Sequence, residues 1–254
     1  MKDETLASAD GLHGRVMRAG EDARAQRDLL DEFQPDETLL VSLLRRAVPL
    51  RFLEVVAATR PFCDRVQVVA QVVLNPRTPR GLSLRLLPQL FWRQLAEVAV
   101  TPHVPAAVRV KAEGSLKDQL RNLRLGERVA LARIATPALI QALLEEAEPK
   151  VLAPLLDNPR LREEDLLAAL RRREAPAALI QAVAGSTRWS LRYFVRLELV
   201  LQARTPLPIA MLQLSSLVKR DLRRVAEARG LRPLVQVAAE RLLGRDESPE
   251  GSGT

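Results

Sequence analysis

Apolar residues recur at three- and four-residue spacing along most of the chain, which is the period of an amphipathic α-helix. The run Val66, Val69, Ala70 and Val73 shows this spacing clearly. No stretch shows the sustained alternation of apolar and polar residues that is typical of a β-strand. The pattern therefore predicts an all-α chain of about fourteen short helices.

Proline punctuates this pattern at short intervals and usually stands just before an apolar run. The first turn of a helix accepts proline because the missing N–H has no intrahelical partner there. We expect a helix to begin at or near each of Pro49, Pro61, Pro79, Pro105, Pro137, Pro149, Pro176 and Pro206.

An internal repeat is the strongest signal in the sequence. Residues 73–116 align without a gap on residues 200–243, with 16 identical residues in 44 positions. Repeats built from short helices are typical of an α-solenoid, in which each unit buries its apolar stripe against its neighbours. The two copies share an Arg-Thr-Pro step.

Three residues are candidates for side-chain N-caps. Asp36 precedes an apolar helical run, while Thr78 and Thr205 each precede the proline of the shared Arg-Thr-Pro step. A hydroxyl or carboxylate at this position accepts a hydrogen bond from a free backbone N–H in the first turn. We expect all three to cap the helix that follows.

The motif Asn75-Pro76-Arg77-Thr78-Pro79 resembles the leucine-rich repeat variant, and residues 60–243 are similar to HEAT-like repeats in general. The resemblance implies a right-handed α-solenoid of short helix pairs, with the Asn-Pro step between helices. An iron–sulfur cluster known in that family is not implied here, since Cys63 is the only cysteine. The resemblance concerns architecture and carries no specific function.

These features predict three regions. Residues 1–35 form an acidic, partly disordered N-terminal arm, residues 36–243 form a single solenoid domain, and residues 244–254 form a disordered tail. No run of about 18 apolar residues and no apolar signal-peptide core is present. We expect a soluble, cytoplasmic protein.

Charge is unevenly distributed along the chain. Residues 41–243 carry 33 basic and 18 acidic side chains, whereas residues 1–40 carry 5 basic and 10 acidic ones. Within the body, positive charge is concentrated in residues 65–135 and 188–243. A basic body predicts an acidic partner, and arginine forms forked contacts with carboxylate and phosphate groups.

Candidate partner-binding residues are the arginines and lysine that cluster on helices of these segments, together with nearby tryptophans. In the alignment Phe91 falls on Val218 and Trp92 falls on Lys219, so Phe91 is expected in the core and Trp92 at least partly exposed. The alternative is that the charges form a solvated face and that the aromatic residues near position 189 are core anchors. The candidates are Trp92, Arg93, Arg188, Trp189, Arg192, Arg196, Lys219, Arg220, Arg223 and Arg224.

Candidate catalytic chemistry is sparse. His13 and His103 have neither ligand nor triad spacing, and no nucleotide-binding motif of the usual kinds is present. We expect no catalytic residue, no metal and no cofactor.

Three functional hypotheses remain open at this point. The first is a non-catalytic helical-repeat scaffold that binds another macromolecule, with an acidic protein surface as the expected partner. The second is a nucleic-acid-binding α-solenoid that uses its basic face, with affinity falling steeply with salt. The third, more distant, is a HEAT-like DNA glycosylase.

Overall fold

The computed structural model describes residues 9–145 and 148–245, and these residues form 17 α-helices, three short 3-10 helices and no β-strand. The all-α prediction is confirmed. The chain divides into two compact units, Met1–Asn122 and Leu123–Thr254. The boundary between them falls inside residues 36–243, the range predicted to form a single solenoid domain.

The first unit contains eight α-helices among its described residues. They are α1 (Ala9–Ala19), α2 (Ala23–Phe33), α3 (Glu37–Leu44), α4 (Leu50–Ala58), α5 (Val66–Leu74), α6 (Arg80–Leu86), α7 (Trp92–Val100) and α8 (Ala106–Gln119). The 3-10 helices Phe62–Asp64, Leu87–Gln89 and Leu120–Asn122 follow α4, α6 and α8.

The second unit contains nine α-helices in the part of it that the structure describes. They are α9 (Leu125–Ile134), α10 (Pro137–Leu143), α11 (Pro149–Leu156), α12 (Glu163–Leu170), α13 (Ala177–Gly185), α14 (Tyr193–Leu201), α15 (Leu207–Leu214), α16 (Lys219–Glu227) and α17 (Pro233–Arg245).

Many helices that lie two apart along the chain pack against each other within each unit. In the first unit α1 contacts α3, α2 contacts α4, α3 contacts α5, and α5 and α6 contact α7 and α8 in turn. The second unit shows the same pattern, for example between α9 and α11 and between α15 and α17. Such contacts cover the apolar stripes of the helices, because short helices gain most of their stability from packing.

The four helices α5 to α8 correspond to α14 to α17 in their positions along the chain. Helix α5 begins at Val66 and α14 at Tyr193, and the starts of the other three pairs are separated by the same interval. This interval equals the offset between the aligned segments 73–116 and 200–243. Aligned positions therefore occupy the same place along a helix, which allows a residue-by-residue comparison of the two units.

Proline marks helix starts as predicted. Pro49, Pro79, Pro105, Pro176 and Pro206 are N-cap residues of α-helices, Pro61 precedes a 3-10 helix, and Pro137 and Pro149 are first helical residues. Asp36 caps α3 by accepting a hydrogen bond from the N–H of Leu39, at 2.7 Å. Its predicted role is confirmed.

The predicted caps at Thr78 and Thr205 are wrong. Pro79 and Pro206 occupy the N-cap positions, so each threonine lies one residue outside its helix. The Thr78 hydroxyl instead donates to the carbonyl of Val72 at the end of α5. The buried Thr205 hydroxyl has no hydrogen-bond partner among the described residues.

The N-terminal segment is more ordered than expected over its described part. Residues 9–33 form α1 and α2, with Leu12 and Val16 fully buried. The buried amide of Gln26 donates to the carbonyls of Val16 and Gly20 and ties the two helices together. Residues 1–8 of the predicted arm and 246–254 of the predicted tail lie outside the described residues, while Gly244 belongs to α17.

Side chains from the turns that follow later helices satisfy the carbonyls at several helix C-termini. The last residues of α3, α5, α11 and α12 are all leucines, and each carbonyl accepts a hydrogen bond from a side chain about thirty residues further on. The pairs are Asn75 with Leu44 (2.7 Å), His103 with Leu74 (2.6 Å), Trp189 with Leu156 (2.8 Å) and Gln202 with Leu170 (2.5 Å).

Three side-chain amides form hydrogen bonds through both their N–H groups and their oxygen, and we call them clamps. They belong to Asn75, Asn158 and Gln202. The amide N–H groups of Asn75 also reach the carbonyl of Arg46, and those of Gln202 reach Arg172. Asn158 bonds the carbonyls of Ala132 and Ala135 in the same way. Each side-chain oxygen accepts the N–H two residues later, which fixes the turn that follows the helix.

We predict that Asn158→Ala destabilises the protein by about 1–3 kcal/mol, because it leaves two carbonyls and the N–H of Arg160 without a buried partner. Urea unfolding followed by circular dichroism measures this change. Gln181→Ala, on the exposed side of α13, is the control and should shift stability by less than about 0.5 kcal/mol. Equal losses in the two variants would contradict the clamp.

Candidate partner-binding site

A basic groove lies in the second unit between the C-terminal end of α12 and helices α14 and α16. Its volume is about 890 Å³. We call it the arginine groove, after Arg171, Arg173, Arg220, Arg223 and Arg224. The remaining lining residues are Leu170, Glu198, Leu201, Gln202, Ala203, Glu227 and Ala228.

Helix α16 supplies one wall of the arginine groove. Arg220, Arg223 and Arg224 are spaced three and four residues apart, so they project from one side of the helix. Leu222 and Val225 are buried on the other side. The helix is therefore amphipathic, and packing of its apolar face directs the three guanidinium groups towards the groove.

The opposite wall comes from the residues that follow α12. Gln202 clamps the carbonyls of Leu170 and Arg172, and the side chains of Arg171 and Arg173 alternate with these clamped residues. Arg171 also pairs with Glu198 at 2.7 Å, and Glu198 is buried. The hydrogen bond to Glu198, reinforced by its charge, raises the pKa of the Arg171 guanidinium.

A hydrogen bond between Tyr193 of α14 and Asp221 of α16 links these two helices. The hydroxyl of Tyr193 donates to the buried carboxylate of Asp221 and accepts from the N–H of Val218. The bond from Tyr193 is the main cause that lowers the pKa of Asp221, and Arg220, 3.5 Å away, adds to it. Burial, followed by the bond to Asp221, raises the pKa of Tyr193.

Positive charge in the arginine groove exceeds the negative charge that faces it. Five arginines line the groove against Glu198 and Glu227, and Glu198 is already paired with Arg171. Among the described residues, Arg173 and Arg223 have no hydrogen-bond or ion-pair partner. Uncompensated guanidinium groups in a concave surface concentrate positive potential and attract anionic ligands.

The first unit has a groove between the corresponding helices, and different side chains line it. It measures about 370 Å³ and includes Gln71, Asn75 and Glu97. At the offset of the repeat these three positions correspond to Glu198, Gln202 and Arg224, and Arg223 corresponds to Ala96. The clamp position is shared, and Arg220 has a counterpart in Arg93, whereas Arg223 and Arg224 have none, so helix packing by itself does not require these two arginines.

The structure brings together only part of the predicted site. Arg220, Arg223 and Arg224 line the arginine groove, and Lys219 is exposed on the same helix outside the lining. Arg171 and Arg173 were missed, because the segment 136–187 carries a net negative charge. The run Arg171-Arg172-Arg173 was the available signal, and only the fold places it opposite α16.

Trp189 is a core residue, which contradicts its assignment to a partner surface. Its side chain is 1% exposed, and its indole N–H donates to the carbonyl of Leu156. The guanidinium groups of Arg188 and Arg192 lie 4.6 and 4.8 Å from the ring centroid. The aromatic ring is therefore enclosed by its own unit, which agrees with the alternative prediction of a core anchor near position 189.

The arginines near Trp189 are engaged in contacts within the second unit. Arg188 donates to the carbonyls of Leu156 and Asn158, and Arg192 forms an ion pair with Glu163 at 2.6 Å. Arg196 donates to the carbonyl of Ser190. None of the three is among the residues that line the arginine groove.

The expected exposures of Phe91 and Trp92 are reversed. Phe91, the N-cap residue of α7, is 65% exposed, whereas Trp92 is buried. Arg93 covers the Trp92 ring, with its guanidinium carbon 5.2 Å from the ring centroid. The alignment correctly paired Phe91 with Val218, but both are exposed N-cap residues rather than core residues.

Residues 9–145 and 148–245 contain neither a metal-binding cluster nor a membrane-spanning helix. No group of three His, Cys, Asp or Glu side chains there is placed to hold a metal ion. No helix in these residues is long and apolar enough to cross a membrane.

Comparison with protein-family models, with curated proteins and with solved structures finds no match for this chain. The resemblance to HEAT-like repeats and to the leucine-rich repeat variant therefore stays a prediction. The arginine groove is the feature of the molecule that bears most directly on function.

The tyrosine–aspartate pair gives a measurable pH dependence. The folded-state pKa of Tyr193 lies above 10.0, so the stability it contributes is present below pH 10 and is lost as pH rises through that folded pKa. Asp221→Asn removes the carboxylate and should move the tyrosinate absorbance midpoint down towards 10. Tyr193 is the only tyrosine, so the signal is unambiguous.

Asp118→Asn, on the exposed side of α8, serves as the control and should leave the midpoint unchanged. Circular dichroism at each pH confirms that the fold persists. A midpoint that is the same in Asp221→Asn and in the unmodified chain would show that the two side chains are not coupled.

Proposed function

We propose that this chain is a non-catalytic helical-repeat protein whose second unit binds an acidic partner protein through the arginine groove. The observation that carries the proposal is the excess of uncompensated arginines in one of two equivalently placed grooves. Arginine is favoured where carboxylates are bound, since its planar fork matches their geometry.

The proposal includes a solenoid-like architecture of the HEAT or leucine-rich repeat variant kind within each unit. Three observations support it: packing between helices two apart, helix starts that share the sequence offset, and clamps that repeat from helix to helix. Proteins of this design present extended surfaces formed by successive helices, and these surfaces commonly bind partners.

Nucleic acid is the competing partner, and the composition of the groove favours protein. Single-stranded nucleic acid is usually held by aromatic side chains that stack on bases. The residues lining the arginine groove include no aromatic side chain, and Trp189 is buried in the unit's core.

Binding of fluorescently labelled polyglutamate, measured by anisotropy at several salt concentrations, tests the proposal. Affinity should fall moderately with salt, and Arg223→Glu with Arg224→Glu should weaken binding about tenfold or more by placing like charges at the site. A labelled single-stranded oligonucleotide is titrated in parallel.

Lys117→Glu with Arg121→Glu is the charge-matched control. Both residues are exposed in the first unit, and this variant carries the same change in net charge with an expected effect below about twofold. Equal losses of affinity in the two double variants would show that binding depends only on the net charge of the protein. Tighter binding of the oligonucleotide, with a steep linear salt dependence, would replace the protein partner by nucleic acid.

A further inference from the structure

An exposed apolar patch adjoins one end of the arginine groove. It consists of Leu191, Phe194 and Val218, which are 68%, 56% and 51% exposed. Phe194 lies in the first turn of α14, and Val218 is the N-cap of α16. Exposed large apolar residues that cluster in this way commonly mark interaction surfaces.

Tyr193 joins the two helices beneath this apolar patch. Its ring packs edge-to-face on Phe194, with centroids 5.7 Å apart, and its hydroxyl accepts the N–H of Val218 at 3.3 Å. The same hydroxyl donates to Asp221, which also contacts Arg220. Phe194 and Val218 are thus held by one side chain that also reaches the wall of the groove.

The apolar patch is continuous with the groove along α14. Phe194 and Glu198 are four residues apart, so they share one face of α14, and Gln202 follows directly after the helix. Glu198 and Gln202 line the arginine groove. Phe194 therefore stands one helical turn beyond the groove, on the same side, and a ligand leaving that end meets an aromatic ring.

The equivalent place in the first unit lacks most of this patch. At the offset of the repeat, Leu191 and Phe194 correspond to Asp64 and Gln67, and only Phe91, the counterpart of Val218, is apolar. Arg223 and Arg224 thus occur together with large apolar residues in the second unit only. Helices α5 to α8 pack without either feature.

We infer that the partner segment is an extended peptide that carries several carboxylates and, at one end, a large apolar residue that docks on Phe194 and Val218. This inference rests on the proposed function. The carboxylates bind Arg220, Arg223 and Arg224, and the apolar residue covers a surface that a purely ionic ligand leaves exposed to water.

The geometry sets the spacing of the recognised residues. From Phe194 to Glu198, where the groove begins, the helix rises about 6 Å, and an extended peptide covers this distance in about two residues. The peptide should therefore place its first carboxylates about two residues from the apolar anchor.

Two labelled peptides of equal length and equal net charge test the inference on the full chain. One contains only Glu, Ser and Gly, and the other has a terminal Phe in place of one Gly. Fluorescence anisotropy should show the Phe peptide binding about tenfold more tightly, as expected for burial of one aromatic side chain.

Phe194→Ser with Val218→Ser should abolish this difference and leave the affinity of the purely acidic peptide unchanged. Phe91→Ser, an exposed aromatic in the first unit, is the matched control and should preserve the difference. Arg223→Glu should weaken both peptides, and circular dichroism establishes that each variant is folded.

The outcomes separate the apolar anchor from the proposed function. Equal affinity of the two peptides for the unmodified chain overturns the apolar anchor and leaves the acidic partner in place. Loss of the difference in Phe91→Ser also overturns it, because it places the anchor on the wrong unit. Failure of both peptides to bind, or tighter binding of an oligonucleotide of equal charge, overturns the proposed function itself.

Discussion

Hydrogen bonds from side chains to the carbonyls of helix C-termini hold this architecture together. Most of the helices have seven to eleven residues, so unsatisfied end groups form a large share of each backbone. Asn75, Asn158 and Gln202 bond carbonyls near the end of an earlier helix and also fix their own turns. Each clamp thus ends one helix and sets its register against another.

The arginine groove follows from such a clamp. Gln202 holds the carbonyls of Leu170 and Arg172, and this holds the chain after α12 with Arg171 and Arg173 facing α16. In the first unit Asn75 does the same to Leu44 and Arg46, and Arg45 lines the corresponding groove. One backbone device therefore produces two grooves, and the side chains around them decide what each can bind.

Electrostatics and packing are divided between different residues in the second unit. The arginines near Trp189 stack on its ring, cap carbonyls or pair with Glu163, so their charge is used within the fold. Arg173 and Arg223, by contrast, have no hydrogen-bond or ion-pair partner among residues 9–145 and 148–245. This division explains why a high content of arginine does not by itself identify a binding surface.

Apolar periodicity and proline placement by themselves determined the all-α composition and most helix starts, because both act through local backbone geometry. The ungapped alignment likewise predicted which helices correspond, since Asn75 and Gln202 fall on each other. Only the tertiary structure decided which of Phe91 and Trp92 faces solvent, and which arginines line one groove. Those outcomes depend on contacts between side chains and helix ends that are far apart in the sequence. No local sequence pattern shows how a helix end is oriented by a side chain from a turn about thirty residues later.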